Sequence, residues 1–138
     1  MTNPTLDTGD VYQKIVDASL ANLPDDWNTA RITIYMLSSQ SHLGAEYTTQ
    51  NVEAPIKFVP TFDALRAFKE LRELTAQPGK GAWYTAIFKM DRSGKFDVEF
   101  DYDIKPAFPY DVDDEDYHED LDEYPREPEY IPEWMPAR

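Results

Sequence analysis

The sequence predicts an α+β domain: two helices packed on an antiparallel sheet of four to five strands, with a Pro-rich acidic C-terminal segment. Three observations carry that expectation. Apolar residues recur three and four positions apart over residues 11–23 and again over 62–74, as they do along one face of a helix. Two runs rich in β-branched and aromatic residues, 82–90 and 95–102, flank the short turn Asp91-Arg92-Ser93-Gly94, the pattern of a β-hairpin. The net charge of −14 sits within residues 97–133, where 16 acidic residues face only Lys105 and Arg126, while residues 1–96 hold 11 acids against 10 bases.

Taken in order, Asp7-Thr8-Gly9-Asp10 can cap a first helix. Its face is Val11, Tyr12, Ile15, Val16, Ser19, Leu20 and Leu23, and Pro24 ends it. Residues 31–37 (RITIYML) read as a strand, 38–42 as a polar loop and 45–52 (AEYTTQNV) as a second strand pairing with the first. Ile56, Phe58 and Val59 around Lys57 suggest a short extension limited by Pro55 and Pro60. A second helix opens at Pro60-Thr61-Phe62-Asp63, with Thr61 as its N-cap. Its stripe is Phe62, Leu65, Phe68, Leu71, Arg72 and Leu74, with Arg66, Lys69, Glu70 and Glu73 largely outside it. Residues 77–81 stop the helix and lead into the hairpin. In the hairpin's second arm Phe96, Val98, Phe100 and Tyr102 alternate with Asp97, Glu99, Asp101 and Asp103, so one face packs inward and the other carries four carboxylates. Trp83, Tyr84, Phe88, Phe96 and Phe100 are the core candidates of this region.

After Ile104 the periodicity dissolves among prolines, acids and tyrosines, leaving residues 113–124 as a candidate short helix. The chain therefore divides into an α+β domain over 1–104 and an acidic, Pro- and Tyr-rich extension over 105–138, which is either part of the same domain or a partner-binding tail. A length of 138 residues suits one domain. No cysteine is present, which excludes a disulfide, a thiolate metal site and a Cys nucleophile. The N-terminus lacks the basic and apolar regions of a signal peptide and no apolar run is long enough to span a membrane, so a cytoplasmic protein is expected. A field of one sign favours a cationic partner, itself a nucleic-acid-binding protein, and disfavours nucleic acid and anionic membranes.

No motif points to catalysis, a metal or a cofactor. Carboxylates two apart on an exposed strand stand about 7 Å from each other, too far to share a proton. The run Asp113-Asp114-Glu115-Asp116-Tyr117-His118-Glu119-Asp120 lacks the spacing and the terminal Glu of a calcium loop. His42 and His118 are scattered, and Gly79-Lys80-Gly81 lacks the Walker spacing and precedes a strand. The same residues suit partner binding, or equally a plain solvated face. The candidate contacts are Asp97, Glu99, Asp101 and Asp103 on the strand, then Asp113, Asp114, Glu115 and Asp116 with Tyr117 and Tyr124. Carboxylates would stand in for phosphates, and tyrosines are favoured interface anchors. The tail aromatics can equally pack back on the domain.

Trp83 followed by Phe88, then Ser93-Gly94-Lys95-Phe96 with Val98, Phe100 and Tyr102-Asp103, resembles the C-terminal half of the YezG-like immunity proteins. The opening helix followed by Leu23-Pro24-Asp25-Asp26-Trp27, and the later Glu133-Trp134, are similar to that family's start and end. The acidic insertion over 105–132 and the short segment after Thr49 depart from it. The resemblance implies an antitoxin, not an enzyme, that binds a cognate basic toxin domain, often a nuclease, and blocks its active site without a cofactor. Such a chain is expected to be monomeric when free. The alternative is an adaptor or chaperone-like module that holds a secreted effector without blocking it.

Overall fold

The computed structural model describes residues 8–51 and 54–138. In chain order the elements are α1 (Thr8–Leu20), β1 (Trp27–Met36), β2 (Ser41–Thr49), β3 (Ile56–Phe58), α2 (Asp63–Thr75), β4 (Thr85–Asp91), β5 (Phe96–Asp101) and α3 (Asp114–Glu123), then a 3-10 turn at Pro128–Tyr130. The five strands form one antiparallel sheet in the order β3-β2-β1-β4-β5. The fold is the α+β arrangement that the sequence predicts. Asp7 of the proposed cap and Val52 of the expected second strand lie outside the described residues.

The strand period sorts the sheet into two faces. Ala30, Ile32, Ile34 and Met36 of β1 are buried, as are Ala86, Phe88 and Met90 of β4. Against them pack Val11 and Ile15 of α1 and Ala67, Phe68 and Leu71 of α2, forming one core. The opposite face stays open along much of its length. Register places Lys57, Glu46, Arg31, Lys89 and Asp97 in one row across all five strands of that face.

Three local expectations are corrected. The polar loop shifts to residues 37–40, closed by the Leu37 N–H donating to the Gln40 carbonyl at 2.8 Å, because β1 ends at Met36 and Ser41 and His42 join β2. Thr61 is not the N-cap of α2. Its N–H donates to the Ala18 carbonyl (3.0 Å) and its carbonyl accepts from Ala64 (2.9 Å), so its backbone ties α2 to α1 while Phe62 stands before the helix without a side-chain cap bond. Phe96 is 45% exposed and not core, since it sits at the start of the outermost strand. Trp83 and Tyr84 are buried but precede β4.

Residues beyond 104 build a second cluster. Leu37, Tyr84 and Tyr117 are buried together, with Phe108, Val112, Trp134 and Met135 packed on them.

Candidate functional site

The ten candidate contacts separate into groups that face outward and groups that hold the molecule together. On β5, Asp97 lies opposite Lys89 and Glu99 opposite Ile87, and both carboxylates are exposed. Glu99 meets Lys89 at 3.9 Å across solvent, a weak pair. Asp101 points its carboxylate back at its own chain. Its Oδ1 accepts from the N–H groups of Asp103 and Ile104, each at 2.9 Å, and shapes the turn that ends the strand. The Asp103 side chain is exposed, while its carbonyl accepts from the Trp134 indole at 2.6 Å. That bond sets the end of β5 beside the C-terminal segment.

Helix α3 presents the second acidic set. Asp114, Glu115 and Asp116 occupy its first turn, where the helix dipole favours negative charge. Tyr117, Asp120 and Tyr124, spaced three and four apart, form its inner face. Arg72, from the apolar stripe of α2, reaches that face with Nη1 on Asp120 Oδ1 (2.5 Å) and Nη2 on Oδ2 (2.9 Å), while its Nε donates to the Trp83 carbonyl (2.7 Å). Asp120 also accepts from the Ser38 N–H (2.8 Å) and hydroxyl (3.0 Å). Arg72 and Asp120 are each 2% exposed, so a bidentate ion pair is sealed between α2, α3 and the β1–β2 turn. Tyr124 lays its ring 5.1 Å from the Arg72 guanidinium.

Asp116 accepts from the Ser39 hydroxyl (2.6 Å) and the Gln40 amide (3.0 Å), gripping the same turn. Tyr117 is 3% exposed and meets the Trp134 ring at 5.5 Å. Its ring therefore belongs to the second cluster. Asp113, Asp114 and Glu115 remain exposed, joined by Glu119, Asp122 and Glu123 on the outer side of the helix. The hydrogen bond from Arg138 holds the Asp122 carboxyl below its usual range. Burial raises the phenols of Tyr117 and Tyr124, and it pushes Tyr84 up to about 12.

The Gly79-Lys80-Gly81 loop receives the tail. The Glu127 N–H donates to the Gly79 carbonyl at 2.7 Å. Arg126 donates to the Ala82 and Tyr130 carbonyls, each at 3.0 Å, and covers the Tyr84 ring at 4.7 Å. His118 bonds the Pro136 carbonyl (2.9 Å), whereas His42 lies beside Tyr110, so the two imidazoles serve separate places. Among the described residues no group of three or more His, Asp or Glu is placed to hold a metal ion. Among them, too, no helix is long and apolar enough to cross a membrane.

Sequence reasoning missed Arg72, Asp120 and Arg126 as the groups that fasten the tail. Two signals pointed to the first two: a cation inside an apolar stripe for Arg72, and the spacing of Tyr117, Asp120 and Tyr124 for Asp120. Residues 48–131 match the family model described as Immunity protein YezG-like. No curated protein matches the chain.

Proposed function

We propose that this chain, which belongs to the YezG-like immunity protein family, neutralises a cognate basic toxin domain, a nuclease, by filling its substrate cleft with carboxylates. The observation that carries the proposal is the division of labour within α3. Its inner face is committed to the buried ion pair and the second cluster, so its outer carboxylates stand on a docked helix and not on a loose tail. A pre-organised surface loses less entropy on binding. The exposed carboxylates of β5 extend it, since Trp134 holds the end of that strand against the C-terminal segment. Tyr117, Tyr124, Asp101 and Asp116 act beneath this surface by fixing its shape. The reading assigns the chain no turnover of its own.

The test uses the product of the neighbouring gene as the candidate toxin. Asp113→Asn, Asp114→Asn and Glu115→Gln combined remove outward charge and leave Asp116 and Asp120 in place. The wild-type association rate should fall several-fold from low to physiological salt, and the triple variant should associate about tenfold more slowly with an unchanged melt. Toxin survival assays should follow the same order. Full protection by the variant at the wild-type rate would remove α3 from the interface. A bound toxin that still cleaves its substrate would favour the adaptor reading.

A further inference from the structure

We propose that the outer edge of β5 takes up an extended strand of the toxin, one with basic residues at alternate positions, adding a sixth strand to the sheet. The inference rests on the immunity reading above and adds how the partner is held.

Hydrogen-bond parity locates the free groups. The Asp91 N–H donates to the Lys95 carbonyl at 3.0 Å, and in the same register Asp97, Glu99 and Asp101 turn their backbone groups toward β4. On the far side of β4 the Met36 N–H donates to the Tyr84 carbonyl at 3.0 Å, which fixes the even-numbered residues of β4 toward β1. The N–H and C=O groups of Phe96, Val98 and Phe100 therefore point away from the sheet, and no strand among the described residues pairs with them. The opposite edge is managed differently. There β3 has only three residues and lies between Pro55 and Pro60, the devices that blunt an edge. The six residues of β5 contain no proline.

Charge selects the occupant. The row Lys57, Glu46, Arg31, Lys89 and Asp97 ends on a carboxylate at β5, so the next place in that row suits a cation. Glu99 repeats the demand two residues on. A second copy of this chain would instead bring the carboxylates of two edges together, which opposes pairing. On the core side Phe96 offers an apolar shelf, its ring stacked on Phe88 and tilted against Tyr12, each at 5.4 Å. The strand that fits thus alternates basic and apolar residues.

The experiment measures binding of the adjacent gene's product, as the candidate toxin domain, to wild-type chain, Val98→Ala and Val98→Pro. Proline at position 98 deletes an outward N–H and leaves the ladder to β4 intact, and alanine controls for the lost side chain. Val98→Ala should bind within about threefold of wild type and Val98→Pro at least about tenfold more weakly. Hydrogen exchange on the wild-type complex should slow at the amides of Phe96, Val98 and Phe100. A folded Val98→Pro that binds as Val98→Ala does, or unchanged exchange at those three amides in a saturated complex, overturns the proposal. So does protection of those amides in the free protein that grows with its own concentration, which marks a second copy as the occupant. If Val98→Pro does not fold, the exchange measurement decides. A wild-type chain that fails to bind the toxin domain defeats the immunity reading as well, whereas binding with unprotected edge amides defeats the added strand alone.

Discussion

Gly81 has a backbone φ of +86°, and a Cβ built there would clash with Arg126 Nε. Two restraints coincide: a conformation that favours glycine, and a buried guanidinium seated against the backbone. Gly94 isolates the first restraint, since its φ is +93° and nothing lies within 4 Å of an added Cβ. Gly81→Ala should therefore lower stability by about 1–3 kcal/mol, and by more than Gly94→Ala. Thermal melts of the two variants measure the difference. Equal losses would mean that Arg126 shifts freely and does not lock the tail to the Gly-rich loop.

At the scale of elements, α3 depends on its surroundings. A helix of 10 residues with sequence DEDYHEDLDE repels itself along its outer side and is too short to persist alone. Its inner face supplies what propensity does not, through Tyr117 in the second cluster and Asp120 on Arg72. Removing one end of a buried pair strands the other charge, so Asp120→Ala should cost about 3–5 kcal/mol. Asp122, on the exposed side of the same helix, pairs with Arg138 in solvent, so Asp122→Ala should leave stability nearly unchanged. Denaturant titration distinguishes the two. A loss below about 1 kcal/mol for Asp120→Ala would show that packing alone docks the helix.

Across the whole molecule, α1 and α2 cover one face of the sheet, the tail packs on Leu37 and Tyr84, and exposed carboxylates collect on β5 and on the outer side of α3. The packing of the tail carries a pH signature. Burial raises Tyr84 from 10.0 to about 12, and it also raises Tyr117 and Tyr124. The folded chain then holds these protons more tightly than the unfolded chain does. Their contribution is complete below pH 10.0 and, for Tyr84, is lost as pH rises from there to about 12. Melting temperature should fall over that alkaline range, and Tyr84→Phe should flatten the fall. An unchanged slope would place the alkaline loss on other groups.

Local pattern by itself determined much of this protein. The period of Val11 and Ile15 and of Phe68 and Leu71 dictates two helices with one buried side each, and the alternation from Phe96 to Phe100 dictates a strand with two unlike faces, because side-chain direction follows backbone geometry. The segregation of charge, with the family-like text from Trp83 to Asp103, pointed to a protein partner before any contact was visible. Only the tertiary structure decided which acids are left exposed and which are held inside the molecule. Asp116 and Asp120 sit in the same run as Asp114 and Glu115, yet they are spent on Ser39, Gln40, Ser38 and Arg72, groups 48 to 82 residues away in the chain. The unpaired edge of β5 was hidden for the same reason. A strand's place in a sheet depends on which distant strands it meets, and backbone hydrogen bonds leave no mark in the order of side chains.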